Sequence, residues 1–527
     1  MALLTVAQLG LVQGQASALW GLLLLLAPYV VGRLSRRSML AGHFRRASLL
    51  GRLLGLWSVV GFGVFVLGTN WIALLRQWSG SSLDPESWPE LTLIPAFAPF
   101  VILQVLCIDA EARVNTRPGV GRSAARGLAL RMFLSTVTPL AVYLGVLGVV
   151  GAVPLARTLV EEVDLYHALF LTLLLVGMSL GVPHLIANAW RTRPLEPGPT
   201  SEILGRVAER AGFTCREVRV WDTGNLIANA AIVGVGRRRL VLLSDALLQT
   251  LGPRELASVY GHEIGHAKCR HVSIFLAWSL GFFLAADLLA PASELWGSVF
   301  LAGALGTWIL CFGWLSRRSE LEADLYSLNL LGDSEALASA LGQVGQRMSD
   351  RGGWRHFSAS IRMGFLASVS TDPEVGRRFK RRMRVGAWLG AGLLAVTGAL
   401  ELRQMGEAYG PQRTRADLAL GRYPAAIARA AKLDGEWSEL RALTQLVASL
   451  AERGPVGEEQ LERALTEDLN RKEWVRAGGW AALLALRGSA PATDFLRLME
   501  LVDEGAGGGR EAESLEARLP PSWKVPH

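Results

Sequence analysis

The stretch Val259–His271, VYGHEIGHAKCRH, sets His262 and His266 four residues apart with Glu263 between them. On an α-helix that spacing puts both imidazoles on one face, one turn apart, where each can offer a ring nitrogen to a single tetrahedral zinc ion. Glu263 lies beside them, able to reach a water activated by that ion. The chemistry implied is metal-assisted hydrolysis. Because HExxH fixes only three of five positions and recurs by chance, it needs a helix, a third ligand and a protected setting. Pro253 suits the first turn of a helix that runs through Glu255, Leu256 and Val259 into the motif.

A third ligand is offered by Ser316–Leu331, SRRSELEADLYSLNLL. Glu320 and Asp324 share a helix face, Ala323 beside them is small enough for close helix packing, and Glu322 is turned roughly 200° from Glu320. Glu320 is assigned as the third zinc ligand, and Asp324 as the carboxylate that fixes a ligand histidine through its second nitrogen. The competing interpretation is an exposed acidic helix capped by arginines. One zinc ion per chain on His262, His266 and Glu320 keeps a fourth position open, with Glu263 as the general base. The strand around Asn229 is a candidate for binding the substrate backbone as an added strand. Arg378, His356 and Tyr260 are candidates for the oxyanion donor.

These residues need a scaffold, and composition says which kind. A chain of 527 residues that is 51% hydrophobic and only 19% charged is too apolar for a soluble multidomain protein, and an integral membrane protein is expected. The net charge of +8 does not indicate nucleic acid, because the arginines cluster at the ends of apolar runs. Cys107, Cys215, Cys269 and Cys311 show no CxxC spacing, so neither a disulfide framework nor a cysteine zinc site is implied.

The apolar runs predict eight spans. Five fall within 1–190: Ala16–Gly32, Leu53–Leu75, Leu91–Ile108, Met132–Val153 and Leu165–Trp190. A transmembrane hairpin at about 272–316 interrupts a cytoplasm-facing catalytic domain over 191–384, in which a helix from Thr200 and a β-hairpin layer precede the motif helix. The basic run RRFKRRMR, Arg377–Arg384, marks the inner end of the eighth span at 385–400. The segment 401–504 reads as an extracytoplasmic helical domain of tetratricopeptide-like pairs lacking the strict consensus, and the Gly-rich 505–527 as a disordered tail. The fold class expected is mainly α: a multi-span helical membrane protein with a catalytic domain that contains a small β-hairpin, plus a C-terminal α-helical domain.

HExxH, two spans and then SRxxExxAD resembles the integral-membrane zinc metallopeptidases that include the CAAX prenyl endopeptidases and the HtpX heat-shock proteases. The matching residues are His262, Glu263, His266, Ser316, Arg317, Glu320, Ala323 and Asp324. Upstream, Asn229 and Ala230 match the family's NAF-type strand; downstream, Thr371, Pro373 and Arg378 match its THPxxxxRI element, with Asp372 where histidine is usual. The resemblance covers about Thr200–Arg384 and implies a zincin-type domain of the gluzincin kind. The activity expected is a membrane-embedded zinc metalloendopeptidase acting on membrane-associated, lipid-modified or misfolded proteins. Its expected partners are polypeptide substrates, membrane lipids and a protein bound by the C-terminal domain, with no nucleic acid. A bacterial inner membrane is the expected location, with the active site cytoplasmic and both the N-terminus and the C-terminal domain outside. The alternatives are a catalytically silent membrane scaffold and a zinc-regulated transporter.

Overall fold

A computed structural model describes residues 18–69, 71, 75, 89–114, 122–234, 236–291, 293–348, 354, 356–433, 437–451, 456–503 and 510–523. The N-terminal region is built from helices α1 (Ala18–Leu40), α2 (Phe44–Thr69), α3 (Pro89–Val114), α4 (Arg122–Gly151), α5 (Pro154–Glu162) and α6 (Asp164–Ala189). A mixed segment follows: strand β1 (Thr192–Pro194), α7 (Pro199–Arg210), β2 (Glu217–Trp221), β3 (Ala230–Val233), β4 (Leu240–Ser244), α8 (Asp245–Thr250) and α9 (Pro253–Lys268). Then come α10 (His271–Leu288), α11 (Glu294–Leu331), α12 (Ser334–Met348), α13 (Ala359–Thr371) and α14 (Pro373–Ala419). The chain ends in α15 (Tyr423–Ala430), α16 (Ser438–Ala451), α17 (Glu458–Asn470), α18 (Trp474–Leu486), α19 (Ala490–Asp503) and α20 (Arg510–Arg518).

Among the described residues, seven helical stretches are long and apolar enough to cross a membrane. They coincide with seven of the eight runs expected; the first, Ala16–Gly32, begins outside the described residues and continues as α1. Large apolar side chains on these helices point outward, among them Leu173, Leu276, Leu301, Leu310 and Trp388, as lipid-facing positions require. The last run, short by itself, is the middle of α14, a helix of 47 residues and about 70 Å that also carries RRFKRRMR. Trp278 of α10 lies against Gly390 of α14 and donates its indole N–H to the Gly386 carbonyl at 3.0 Å.

The described residues divide into two compact units, one drawn from 1–84, 90–144 and 175–401 and the other from 85–89, 145–174 and 402–527. In the first, the expected hairpin is present as antiparallel β3 and β4, but the sheet has four strands in the order β1-β2-β4-β3, with β2 and β4 parallel. β1 gave no sequence signal because it is three residues long and contains Pro194. β4 is buried throughout, and Leu243, Leu247, Leu256, Tyr260 and Ile264 form the core on which α9 rests. β3 is an edge strand.

In the second unit, Leu461, Leu465, Trp480, Leu484, Phe495 and Trp523 share one core. The expected disordered tail at 505–527 does not hold for 510–523. There α20 buries Ala512 and Leu515, and Trp523 meets Phe495 edge-on at 6.4 Å. Glycine content concealed an amphipathic helix that follows it, whose apolar face and terminal Trp complete the core.

The helix that carries HExxH approaches α11 backbone to backbone. A Cβ on Gly265 would lie 3.0 Å from the Cα and carbonyl oxygen of Ala323, and one on Gly261 would lie 2.9 Å from Ser327 Oγ. That hydroxyl donates to the Ser258 carbonyl at 2.7 Å and ties the two helices together. Gly265→Ala meets backbone that cannot rotate away. It is expected to destabilise the protein by about 1–3 kcal/mol and to lower metal retention, read as thermal midpoint and bound metal in detergent.

Candidate metal centre

Helices α9 and α11 meet so that His262, His266 and Glu320 converge. Their ligand atoms all lie within 4.8 Å of one another. His262 Nε2 is 3.1 Å from His266 Nε2 and 3.8 Å from Glu320 Oε2, while His266 Nε2 is 3.5 Å from Glu320 Oε1. Tetrahedral donors about 2.0–2.1 Å from a zinc ion stand roughly 3.3–3.4 Å apart, so the spacing suits one such ion.

The hydrogen bonds fix which nitrogens are free. Asp324 Oδ1 lies 2.8 Å from His262 Nδ1, and an ionised carboxylate only accepts, so Nδ1 carries a proton; in the neutral ring Nε2 then keeps its lone pair. His266 Nδ1 lies 2.8 Å from His271 Nδ1, and His271 Nε2 donates to Glu322 Oε2 at 3.0 Å. With the His271 proton on Nε2, His266 donates from Nδ1, and its Nε2 is also a bare lone pair. Two lone pairs and a carboxylate then face one another inside the protein, an arrangement that repels unless a cation lies between them.

The charge around this cluster is organised by Arg362 on α13, which sequence reasoning missed. Its guanidinium grips Asp324 in a fork, Nε to Oδ2 at 2.7 Å and NH2 to Oδ1 at 2.6 Å, and its NH1 stands 3.4 Å from Glu320 Oε2. The available signal was its place as the lone charge in ASIRMGFLASVST, since a charge in an apolar helix calls for a buried partner. Burial pushes the Glu263 carboxyl up to about 7, near the range that suits a general base at neutral pH. Burial drives His266 down to about 3 and keeps it neutral.

The other sequence candidates separate. His356 Nδ1 comes to 3.2 Å from Glu320 Oε1 while its side chain stays 59% exposed, at the open side of the cluster. Asn229 directly precedes edge strand β3, with its N–H donating to Ser244 Oγ and its carbonyl accepting from the Ser244 N–H. Tyr260 is not brought to the cluster: two residues from His262 it lies on the opposite helix face, buried against Phe213. Arg378 is exposed on α14 and its ion-pair partner is Glu374. Glu322, expected to turn away, is buried and held by His271. Arg362→Leu leaves Asp324 and Glu320 facing each other without their cation. In metal-free protein it is expected to cost about 3–5 kcal/mol, measured as a fall in thermal midpoint.

The profile of Peptidase family M48 matches residues 194–383, the segment that contains all of these groups. A protease HtpX homolog of Methylacidiphilum infernorum is 26% identical over 300 residues, covering 48% of this chain and 98% of the relative. Another from Bordetella petrii is 25% identical over 251 residues, covering 41% and 84%. The crystal structure of Ste24p from S. mikatae aligns with 60% of this chain and 98% of its own at 15% identity, with a TM-score of 0.35, too low to speak for a shared overall fold. Over residues 194–383 the chain thus resembles the metallopeptidases of family M48, and it is similar to protease HtpX homologs.

Proposed function

We propose that this protein is a zinc-dependent endopeptidase that cleaves membrane-associated polypeptides. The observation that carries the reading is the convergence of His262 Nε2, His266 Nε2 and a Glu320 carboxylate oxygen, each with a free lone pair, beside the half-buried Glu263. One zinc ion held by these three residues would supply a Lewis acid that polarises the scissile carbonyl and acidifies the attacking water.

The chain's own groups supply the rest. Glu263 accepts a proton from the attacking water on its carboxylate and returns it to the amine of the departing peptide. Asp324 holds the His262 ring through Nδ1, and Arg362 holds Asp324, so the ligand cannot rotate out of place. Edge strand β3, entered at Asn229, aligns the substrate backbone as an added strand. His356, on the exposed side of Glu320, is the oxyanion donor favoured among the sequence candidates, because Tyr260 and Arg378 face elsewhere.

Support for a membrane-associated substrate comes from α11 itself. The helix carrying Glu320 is the continuous second arm of the apolar hairpin, so the cluster sits where that arm leaves its apolar stretch at Arg317 and Arg318. By the positive-inside rule, Arg317 and Arg318 support a site at the cytoplasmic face of the membrane. Lipid-modified termini and damaged membrane proteins are the substrate classes that fit this placement. The silent-scaffold alternative is disfavoured because three ligands, a base and the hydrogen bonds that orient them are all in place.

Glu263→Gln removes the base and leaves the three ligands. It is expected to retain about one zinc per chain while losing about 10²–10⁴-fold in cleavage of an unfolded membrane-protein substrate. Metal analysis and single-turnover proteolysis check both. Zinc-free wild type, or a variant as active as wild type, would overturn the reading.

A further inference from the structure

Beyond the three proposed ligands lies a second cluster, half-buried Cys269 with buried His271 and Glu322, whose ligand-type atoms also fall within 4.8 Å of one another. His271 is 1% exposed and Glu322 is 8% exposed. Neither has been given a functional role so far, although His271 touches His266 directly.

Local backbone geometry explains how His271 arrives there. Helix α9 ends at Lys268, Cys269 caps it, Arg270 takes the left-handed conformation at φ 56°, and α10 begins at once with His271. A non-glycine residue in that conformation is strained, and such strain persists where the surrounding packing demands it. The two-residue joint folds the first side chain of α10 back onto the last turn of α9, where His266 sits.

Both nitrogens of His271 are then committed. Nδ1 accepts from His266 Nδ1–H at 2.8 Å and Nε2–H donates to Glu322 at 3.0 Å. A metal ion in this second cluster would have to displace one of those bonds. Burial, with Glu322 nearby, also pushes the Cys269 thiol up to about 12, so it offers no thiolate.

We infer that His271 and Glu322 form a positioning relay that fixes the tautomer and ring orientation of His266, so that its Nε2 lone pair points at the metal position. The two ligand histidines are thereby oriented by carboxylates of one helix, α11. Asp324 acts on His262 directly, and Glu322 acts on His266 through the interposed imidazole of His271. Polar partners behind a metal-ligating histidine raise its basicity and hold its geometry, and their loss typically costs about 10–100-fold in metal affinity. The inference rests on the zinc reading of His262, His266 and Glu320.

The test compares purified full-length wild type with His271→Leu and His271→Asn in detergent. It measures zinc stoichiometry, the zinc dissociation constant by chelator competition, and the visible spectrum after cobalt substitution. Leucine fills the space but accepts no hydrogen bond, whereas the asparagine carbonyl can accept where Nδ1 does. His271→Leu is expected to weaken zinc about 10–100-fold and to shift the cobalt bands, while His271→Asn stays within a few-fold of wild type. If His271→Leu does not fold, Glu322→Leu against Glu322→Gln, which loses or keeps the acceptor for Nε2–H, reads the same relay. Wild-type affinity in whichever leucine variant is read would overturn the relay. So would equal weakening in both members of the pair with an unchanged cobalt spectrum, which marks simple packing. Two zinc ions per chain, one of them lost in His271→Leu, would make the cluster a metal site instead. Wild type that binds no zinc would refute the underlying zinc reading itself.

Discussion

The close approach of α9 to α11 is the constraint on which the candidate centre depends. Two of the candidate ligands lie on one helix and the third on another, and an apolar hairpin separates them in sequence. Donors around one ion must stand within a few ångströms, a separation that ordinary helix packing at 8–10 Å between axes reaches only with side chains of the right length. Gly261 and Gly265 opposite Ser327 and Ala323 remove the side chains that would hold the helices apart. The histidines and Glu320 then meet without stretching.

That seam also couples the centre to the membrane region. α11 runs without a break for 38 residues, about 57 Å, from the turn of the hairpin to beyond Asp324. A continuous helix is stiff over this length, so the position of Glu320 is tied to how the hairpin packs. The Phe275, Phe312, Trp308 and Phe283 rings follow one another at 5.1–5.4 Å along the two arms and give that packing a defined register.

Charge is the second organising force. Glu320 and Asp324 are buried together with a single guanidinium, and Glu263 lies among them. Carboxylates in such a setting are costly unless neutralised, and Arg362 alone leaves an excess of negative charge. A dication held at this convergence, as proposed, would offset that excess, and the groups that shape the ligand geometry would then make the protein more stable with the ion bound.

Some of this was legible in the sequence because it is local. The four-residue spacings of His262 with His266 and of Glu320 with Asp324 follow from helix periodicity, and the spans follow from length and apolar composition. Tyr260 could have been excluded on the same grounds, since two residues from His262 is the far side of a helix. Arg362 and the pairing of His271 with Glu322 were not legible, because they join residues 38 and 51 positions apart. Helix phase correctly turned Glu322 away from Glu320, but phase says nothing about what another helix places opposite. Arg378 shows the converse, a residue that matched a motif and came to rest on an exposed face. The packed helix within 510–523 was hidden because its partners lie in earlier helices. The sequence alone determined which residues share a helix face and which runs suit a membrane, since both depend on backbone geometry and composition. Only the tertiary structure decided which faces meet, because that depends on the glycine seam, the left-handed joint at Arg270 and the matching of buried charges across helices distant in the chain.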